Sequence, residues 1–397
     1  MRVLSINSGS SSVKFDWYDG DQSQFQKRVS GKVDGIGSHA DIHATFVDSG
    51  AQYSHTGKVT NHEDALKESI HALQYFLPGE TVSQVDRIGF RIVHGGELFT
   101  ETVRLTDVSL TALEHLGHPA PLHNPPALAS IRAAQKLFRP GVVFAGVFDT
   151  QFHKHLPVVA RTYGLPYTLT QKYGIRRYGF HGLAHRFMRD RYIRMSGISL
   201  EEATLITVQL GSGCSVCAIK NGYSVDTSMG FTPLEGLMMR TRTGDIDAGL
   251  VSYIARQERL DGFQMEHILN EDSGLAGLSG TDGDMRTLIA RYGSDTRSKL
   301  AVDVFCYRVA KYITSYIPAI GMPKAIIFGG GIGELSPFIR ERIATLVSPL
   351  GITLSKEKNA ECIGKESCIS DLQSAIQLYC IPVDESEVIF TETVSMV

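Results

Sequence analysis

The residues best suited to chemistry lie in three short turns. The first, Asn7-Ser8-Gly9-Ser10-Ser11-Ser12, joins two apolar runs, Val3 to Ile6 before it and Val13 to Phe15 after it, with Lys14 inside the returning run. Gly9 opens backbone conformations that residues with a Cβ avoid. The serines supply hydroxyl and backbone N–H donors and Lys14 supplies one positive charge, which together suit phosphate oxygens. It is not a Walker A loop, because the second glycine is missing and Lys14 lies in a strand instead of opening a helix. Read alone, this turn serves equally well as a Ser-rich hairpin turn. The second turn is Gly211-Ser212-Gly213, again between apolar runs, within residues 204–220. The third, Gly329 to Glu334, follows the apolar run Ala325 to Phe328 and precedes Ser336-Pro337, a cap and helix start. Bare backbone there lets a ring or phosphate approach closely. One such turn is weak evidence, whereas three in one chain point to a nucleotide.

Other reactive side chains form no convincing site. All six cysteines lie in the second half, and Cys214 and Cys217 sit in a strand-like run without a second pair. Reduced, buried thiols are expected, not a disulfide framework or zinc site. His115, His118 and His123 share a Pro-rich loop without a further ligand cluster, so no metal is expected there.

The elements that must position these turns read as α/β. Strands are expected at the two hairpins and at 42–47, 86–93, 142–148 and 325–328. Helical spacing of apolar residues marks 63–76, 107–116, 126–138, 182–195, 298–316 and 386–395. Residues 150–180 read as an irregular crossing between domains. The repeated strand–turn–strand units, about 200 residues apart, suggest a duplicated domain. A chain of 397 residues exceeds one ordinary core. The net charge of −3 offers no basic field for nucleic acid, and no apolar run approaches the ~20 residues of a membrane span. No signal-peptide pattern is read at Met1-Arg2, so a cytoplasmic location is expected.

Several runs carry a resemblance: INSGSSSVKF (6–15), RIVHGGE (91–97), PLHNP (121–125), FDTQFH (148–153), KYGIRRYGFHG (172–182), VDTSMGFTPLEGLMM (225–239), GLSG (277–280), DMR (284–286) and GGGIGE (329–334). With them, the chain resembles the acetate kinase family, within the sugar kinase/Hsp70/actin superfamily, nearly end to end. The resemblance implies two duplicated RNase H-like domains with the active site in the interdomain cleft. The domains are expected as 1–150 with 386–397, and 151–385. It implies reversible, Mg-dependent transfer of the ATP γ-phosphoryl group to acetate, giving acetyl phosphate and ADP, in a homodimer. The rival readings are a propionate or butyrate kinase, and a degenerate ATP-binding or ATPase member without carboxylate kinase activity.

The same resemblance assigns residues. Asp149, His181 and Arg242 are the catalytic set. Arg91 holds the incoming carboxylate or the phosphoryl group, and Val93, Leu122, Phe180 and Pro233 form the acyl pocket. Ser10, Ser12 and Lys14 face phosphates, as do Gln209, Leu210, Gly211, Ser212 and Gly213. Asp284, Met285 and Arg286, with Gly331, Ile332, Gly333 and Glu334, match the adenosine pocket. Asn7 and Glu385 surround magnesium, or manganese in its place. Asp149 is described in such enzymes as an acid/base residue. A carboxylate nucleophile is already ionised at neutral pH, so metal or water positioning suits Asp149 better. Phosphoryl transfer requires charge compensation above all, which guanidinium forks provide. The chain departs from the family pattern at Gln209, Ser212, Arg240, Leu335 and Ser386. The first four bear on the choice of phosphoryl donor.

Overall fold

The computed structural model describes residues 1–21, 23–79, 84–116 and 124–396. The chain divides into two units, Met1–Gln151 with Asp384–Val397, and Phe152–Val383.

The first unit contains β1 (Arg2–Ser8), β2 (Ser12–Gly20), β3 (Phe25–Asp34), β4 (Ser38–Phe46), β5 (Ala51–Val59), β6 (Arg87–Ile92), β7 (Val103–Arg104) and β8 (Val143–Phe148). They form one sheet in the order β5-β4-β3-β2-β1-β6-β8-β7. Strands β1 to β5 are an antiparallel meander, and in β4 the buried Ala40, Ile42 and Ala44 alternate with the exposed His39, Asp41 and His43. This period of two is what one covered face requires. The helix His62–Phe76 covers that face with Ala65, Leu66, Ile70 and Leu73, and Asn61 caps it by accepting from the Asp64 amide. Strands β1, β6 and β8 are parallel. Val3 to Ile6 and Ile88 to Phe90 are continuously buried, as a sheet covered on both faces demands. The C-terminal helix Glu385–Ser395 packs on β6 at Gly89, where a methyl group would lie 2.1 Å from Thr393 Oγ1.

The second unit contains β9 (Leu205–Leu210), β10 (Cys214–Lys220), β11 (Tyr223–Thr227), β12 (Ala325–Gly329), β13 (Ser367–Cys368) and β14 (Gln377–Cys380), in the order β11-β10-β9-β12-β14-β13. Strands β11, β10 and β9 are antiparallel, and β9, β12 and β14 are parallel. The run β3-β2-β1-β6-β8 of the first sheet has the same order and directions. The duplication suggested by the two hairpins is therefore present at the level of topology.

Three expectations change. Residues 150–180 are not wholly irregular: helices Val158–Arg161 and Tyr167–Tyr173 form there, each entered from a proline, Pro157 and Pro166. The glycine run after β12 is not an open loop. Gly330, at φ +74°, turns the chain, and Gly330–Leu335 is a short helix. Gly9 does not use its freedom. Its φ lies outside the left-handed region, and a methyl there would make only ordinary contact with Ser12. The cysteines are free thiols, and burial pushes Cys214 and Cys217 up to about 12. Among the described residues no helix is long and apolar enough to cross a membrane.

Candidate active site

Parallel strands present ligands at their C-terminal ends, and in the first unit those ends carry polar groups. Asn7 lies at the end of β1, Arg91 near the end of β6, and Asp149 just beyond β8. Arg91 donates from Nε to Asp149 Oδ1 at 2.8 Å and from Nη2 to Asp149 Oδ2 at 2.6 Å. Its Nη1 reaches Asn7 Oδ1 at 3.1 Å and stands 3.4 Å from Glu385 Oε2. Asn7 Nδ2 donates to that same Glu385 oxygen at 2.9 Å. Burial works against the charge of Arg91, but the carboxylates of Asp149 and Glu385 outweigh it and raise its pKa. Asp149 is fully buried and both of its oxygens are held by Arg91, so here it orients a guanidinium.

Glu385 reaches this cluster from the far end of the chain because its helix is pinned in place. Asp384 caps the helix by accepting from the Ser386 and Glu387 amides, and Lys27 pairs with both Asp384 and Asp16. Ser5 Oγ donates to the Ser386 carbonyl at 3.2 Å.

Lys14 is the register partner of Asn7 across β1 and β2, and among the described residues it has no carboxylate partner. Ser10 is exposed and Ser12 half-buried at the hairpin tip, where the Gly9 amide donates to the Ser12 carbonyl at 2.8 Å. Val93 is half-buried just past β6. Leu122 lies outside the described residues, as do His118 and His123. The oxygens of Asn7 and Glu385 are hard donors of the kind magnesium takes when phosphates and water complete its shell. Among the described residues no cluster of three or more His, Cys, Asp or Glu is placed to hold a metal by itself.

In the second unit the turn Gly211–Gly213 closes with the Gly211 amide on the Gly213 carbonyl at 3.1 Å. Two cationic or donor groups converge beside it. A methyl group on Gly213 would lie 3.2 Å from His181 Cε1 and Nε2 and 3.9 Å from Arg242 Nη1. Arg242 is half-buried and donates from Nη1 to the Pro233 carbonyl at 3.2 Å. Among the described residues it forms no ion pair; burial lowers its pKa, and the opposing pull of the Glu271 carboxylate does not offset it. His181 precedes the helix Gly182–Ser196 with φ 56° and ψ 25°, a left-handed conformation rare for a side-chain-bearing residue and found at functional sites. Its Nδ1 lies 2.8 Å from Ser215 Oγ. Phe180 and Pro233 are buried nearby in sequence to these groups, and the Phe180 carbonyl is 3.0 Å from His153 Nε2.

A cavity of about 620 Å³ opens from the same turn. Gly211, Ser212, Asp284, Met285, Arg286, Gly331 and Ile332 line it. Asp284 pairs with Arg286 at 2.6 Å, and that guanidinium holds the Asp284 carboxyl down to about 2. Gln209, Leu210, Gly213, Gly333 and Glu334 are not among its lining residues. Glu334 Oε1 accepts from the Gly330 amide at 2.8 Å and from the Val383 amide at 2.9 Å, so it secures the glycine turn. The sequence did not reveal the apolar wall, formed by Leu275, Ile289, Ala290, Pro337 and Phe338 with Leu335. The only local signal was Ser336-Pro337, which marks a helix start but says nothing of what the helix faces. Arg240 also lines the cavity, its amide on the Ser212 carbonyl at 3.1 Å and its Nε on the Asp282 carbonyl at 2.9 Å.

Comparison with known proteins accords with this geometry. The family model described as the Acetokinase family matches residues 2–391. An acetate kinase of Thermotoga sp. (strain RQ2) is 41% identical over 402 residues, covering 100% of this chain and 99% of that protein. The crystal structure of Porphyromonas gingivalis acetate kinase superposes with a TM-score of 0.90 at 33% identity, covering 100% of this chain and 99% of that one. A propionate kinase from Francisella tularensis subsp. tularensis SCHU S4 does so at 0.91 and 32%, with 100% of both chains covered.

Proposed function

The chain belongs to the acetokinase family, and from that premise we propose that it transfers the γ-phosphoryl group of ATP reversibly to acetate, giving acetyl phosphate and ADP. The observation that carries this reading is Arg242, a half-buried cation that forms no ion pair among the described residues and stands beside His181 and Gly213. A phosphoryl anion beside it would offset the cost of burying this charge.

The chemistry follows from the residues. The acetate carboxylate is ionised and needs no base. Arg91, its fork fixed by Asp149, offers its remaining N–H groups to the carboxylate or to the phosphoryl group. Arg242 and His181 donate to the phosphoryl oxygens as charge spreads over them in the transition state. Asp149 acts on Arg91 and removes no proton. The family resemblance assigns Val93, Leu122, Phe180 and Pro233 to the acyl group. Ser10, Ser12, Lys14 and the Gly211–Gly213 turn serve the phosphates, and the cavity beside Asp284 and Phe338 takes the adenosine. Asn7 and Glu385 would hold magnesium, which when bound neutralises phosphate charge. The reading includes a homodimer, tested by light scattering of the purified protein, and a cytoplasmic location, tested by cell fractionation.

Trapping the acyl phosphate with hydroxylamine tests the activity: ATP hydrolysis without hydroxamate would leave an ATPase and reject the proposal. The full-length similarity to a propionate kinase supports a second reading, propionate as acceptor. An extra methylene is worth only about 1–3 kcal/mol in an apolar pocket. Comparing kcat/KM for acetate, propionate and butyrate decides between them.

A further inference from the structure

His181 is joined to a chain of buried polar side chains that the reaction itself does not call for. His181 Nδ1 is 2.8 Å from Ser215 Oγ, Ser215 Oγ is 2.8 Å from His185 Nε2, and His185 Nδ1 is 2.8 Å from Thr207 Oγ1. Ser215, His185 and Thr207 are all fully buried. Their placement is rigid. His181 and His185 are one helical turn apart, with the His185 amide on the His181 carbonyl at 3.0 Å. Thr207 and Ser215 stand on the paired strands β9 and β10.

We propose that Thr207, His185 and Ser215 form a one-way hydrogen-bond relay that holds His181 as a neutral imidazole carrying its proton on Nε2. This rests on the reading above that His181 donates to the phosphoryl group. His185 is neutral, because burial first, and the neighbouring His153 and His181 next, press its pKa well below the ordinary imidazole value. It therefore has one N–H to give, and each hydroxyl has one O–H. Three proton orders satisfy the three contacts, because a hydroxyl oxygen can accept twice. The one in which Ser215 accepts from both rings leaves its own fully buried O–H with no acceptor among these contacts, which is costly, and two remain.

In the first, Thr207 donates to His185 Nδ1, His185 Nε2–H donates to Ser215, and Ser215 donates to His181 Nδ1. Every proton then has a nitrogen or oxygen acceptor, and the free proton of the neutral His181 ring is placed on Nε2. In the reverse order His181 gives its Nδ1 proton to Ser215, and the Thr207 hydroxyl is turned away from His185. The acceptor left for it is the Cys217 sulfur, which is weak. The neutral ring would then present a lone pair at Nε2, on the side where Gly213 and Arg242 converge, against incoming phosphate oxygens. The first order is better satisfied inside the protein and leaves a standing donor where the second leaves repulsion. Ser215, His185 and Thr207 are thus positioning residues, which select a tautomer without touching substrate.

The test uses the full-length protein labelled with ¹⁵N in histidine. Long-range ¹H–¹⁵N spectra at about pH 8, above the ordinary imidazole range, report the tautomer of each ring, and His181→Gln identifies the His181 signals. The expected result is a neutral His181 with its proton on Nε2. Ser215→Ala should lose that signature and lower kcat by about tenfold or more, as a misdirected tautomer does, with KM for ATP and acetate held within about twofold. Ser215→Thr, which keeps the hydroxyl, should restore both. A wild-type ring protonated on Nδ1 or on both nitrogens overturns the relay, as does an Nε2–H signature that survives in Ser215→Ala. If Ser215→Ala does not fold, the wild-type spectrum alone decides. An Nε2–H ring in the wild type, with normal kcat in His181→Ala, sustains the relay and instead refutes the phosphoryl role of His181.

Discussion

Replacing Gly213 with alanine tests whether the convergence of His181 and Arg242 is where phosphoryl transfer occurs. The backbone of Gly213 lies outside the left-handed region, so alanine is not strained there. The added methyl sits 3.2 Å from two atoms of the His181 ring, closer than ordinary van der Waals contact, and 3.9 Å from Arg242 Nη1. The ring must give way by a few tenths of an ångström. A displacement of about 1 Å at a reacting centre costs on the order of a hundredfold in rate, so this smaller one should lower kcat by about tenfold, or about 1.4 kcal/mol. Stability should hardly change. Losing a glycine restricts the unfolded chain by about 0.4–1 kcal/mol, which offsets the crowding in the folded state. Gly293→Ala is the control, since a methyl there meets nothing within 4 Å and its backbone is also outside the left-handed region. Hydroxamate formation gives kcat, and urea unfolding gives stability. If Gly213→Ala matches Gly293→Ala in kcat, the phosphoryl group does not sit beside Gly213. If it unfolds markedly more easily, the effect is on folding and the reasoning about the site fails.

Arg242→Ala and His181→Ala should each remove about 3 kcal/mol of transition-state stabilisation, and a near-normal kcat in either would end its assignment to the phosphoryl group. Asp149→Ala leaves the partly buried Arg91 with only the more distant Glu385 carboxylate, at 3.4 Å. It should lower the unfolding free energy by about 3 kcal/mol, the usual loss when one partner of a buried pair is removed. A change below about 1 kcal/mol in urea unfolding would show that Asp149 does not hold Arg91. His153 is fully buried, and desolvation depresses its pKa to about 4. Its neutral form therefore stabilises the fold above the unfolded imidazole pKa of about 6.5, and that contribution, about 3 kcal/mol, is lost as pH falls through 4. Unfolding free energies between about pH 8 and 4 should show a shallower acid loss in His153→Gln, and equal slopes would refute the assignment.

The hairpin pattern, the helical spacings and the three glycine-rich turns were legible in the sequence because each is a local regularity. Alternating burial in β4 and the capped helix at Asn61 follow from residues within a few positions of one another. The similar pattern of 3–15 and 204–220 also suggested a chain built twice, and the strand order of the two sheets bears this out. The glycine run 329–334 was legible as a turn but not as a helix. Its form depends on the Glu334 carboxylate returning to the Gly330 amide and on Val383, far along the chain, sharing it.

What only the tertiary structure decided concerns partners rather than residue types. Nothing local pairs Asn7 with Glu385, and the contact exists because helix Glu385–Ser395 lies against Gly89 and is tied to β1 through Ser5. Asp149 carries the same side chain whether it binds a metal, moves a proton or grips Arg91. The adjacency of parallel β6 and β8 places its two oxygens on Nε and Nη2 of Arg91. The apolar wall of the cavity and the line Thr207–His185–Ser215–His181 are likewise invisible in one dimension. Strand residues with ordinary alternation acquire a role only when a helix lays His181 and His185 across them. Sequence fixes which groups are available and the local elements that carry them, while long-range packing sets the distances below about 3 Å on which hydrogen bonding and proton placement depend.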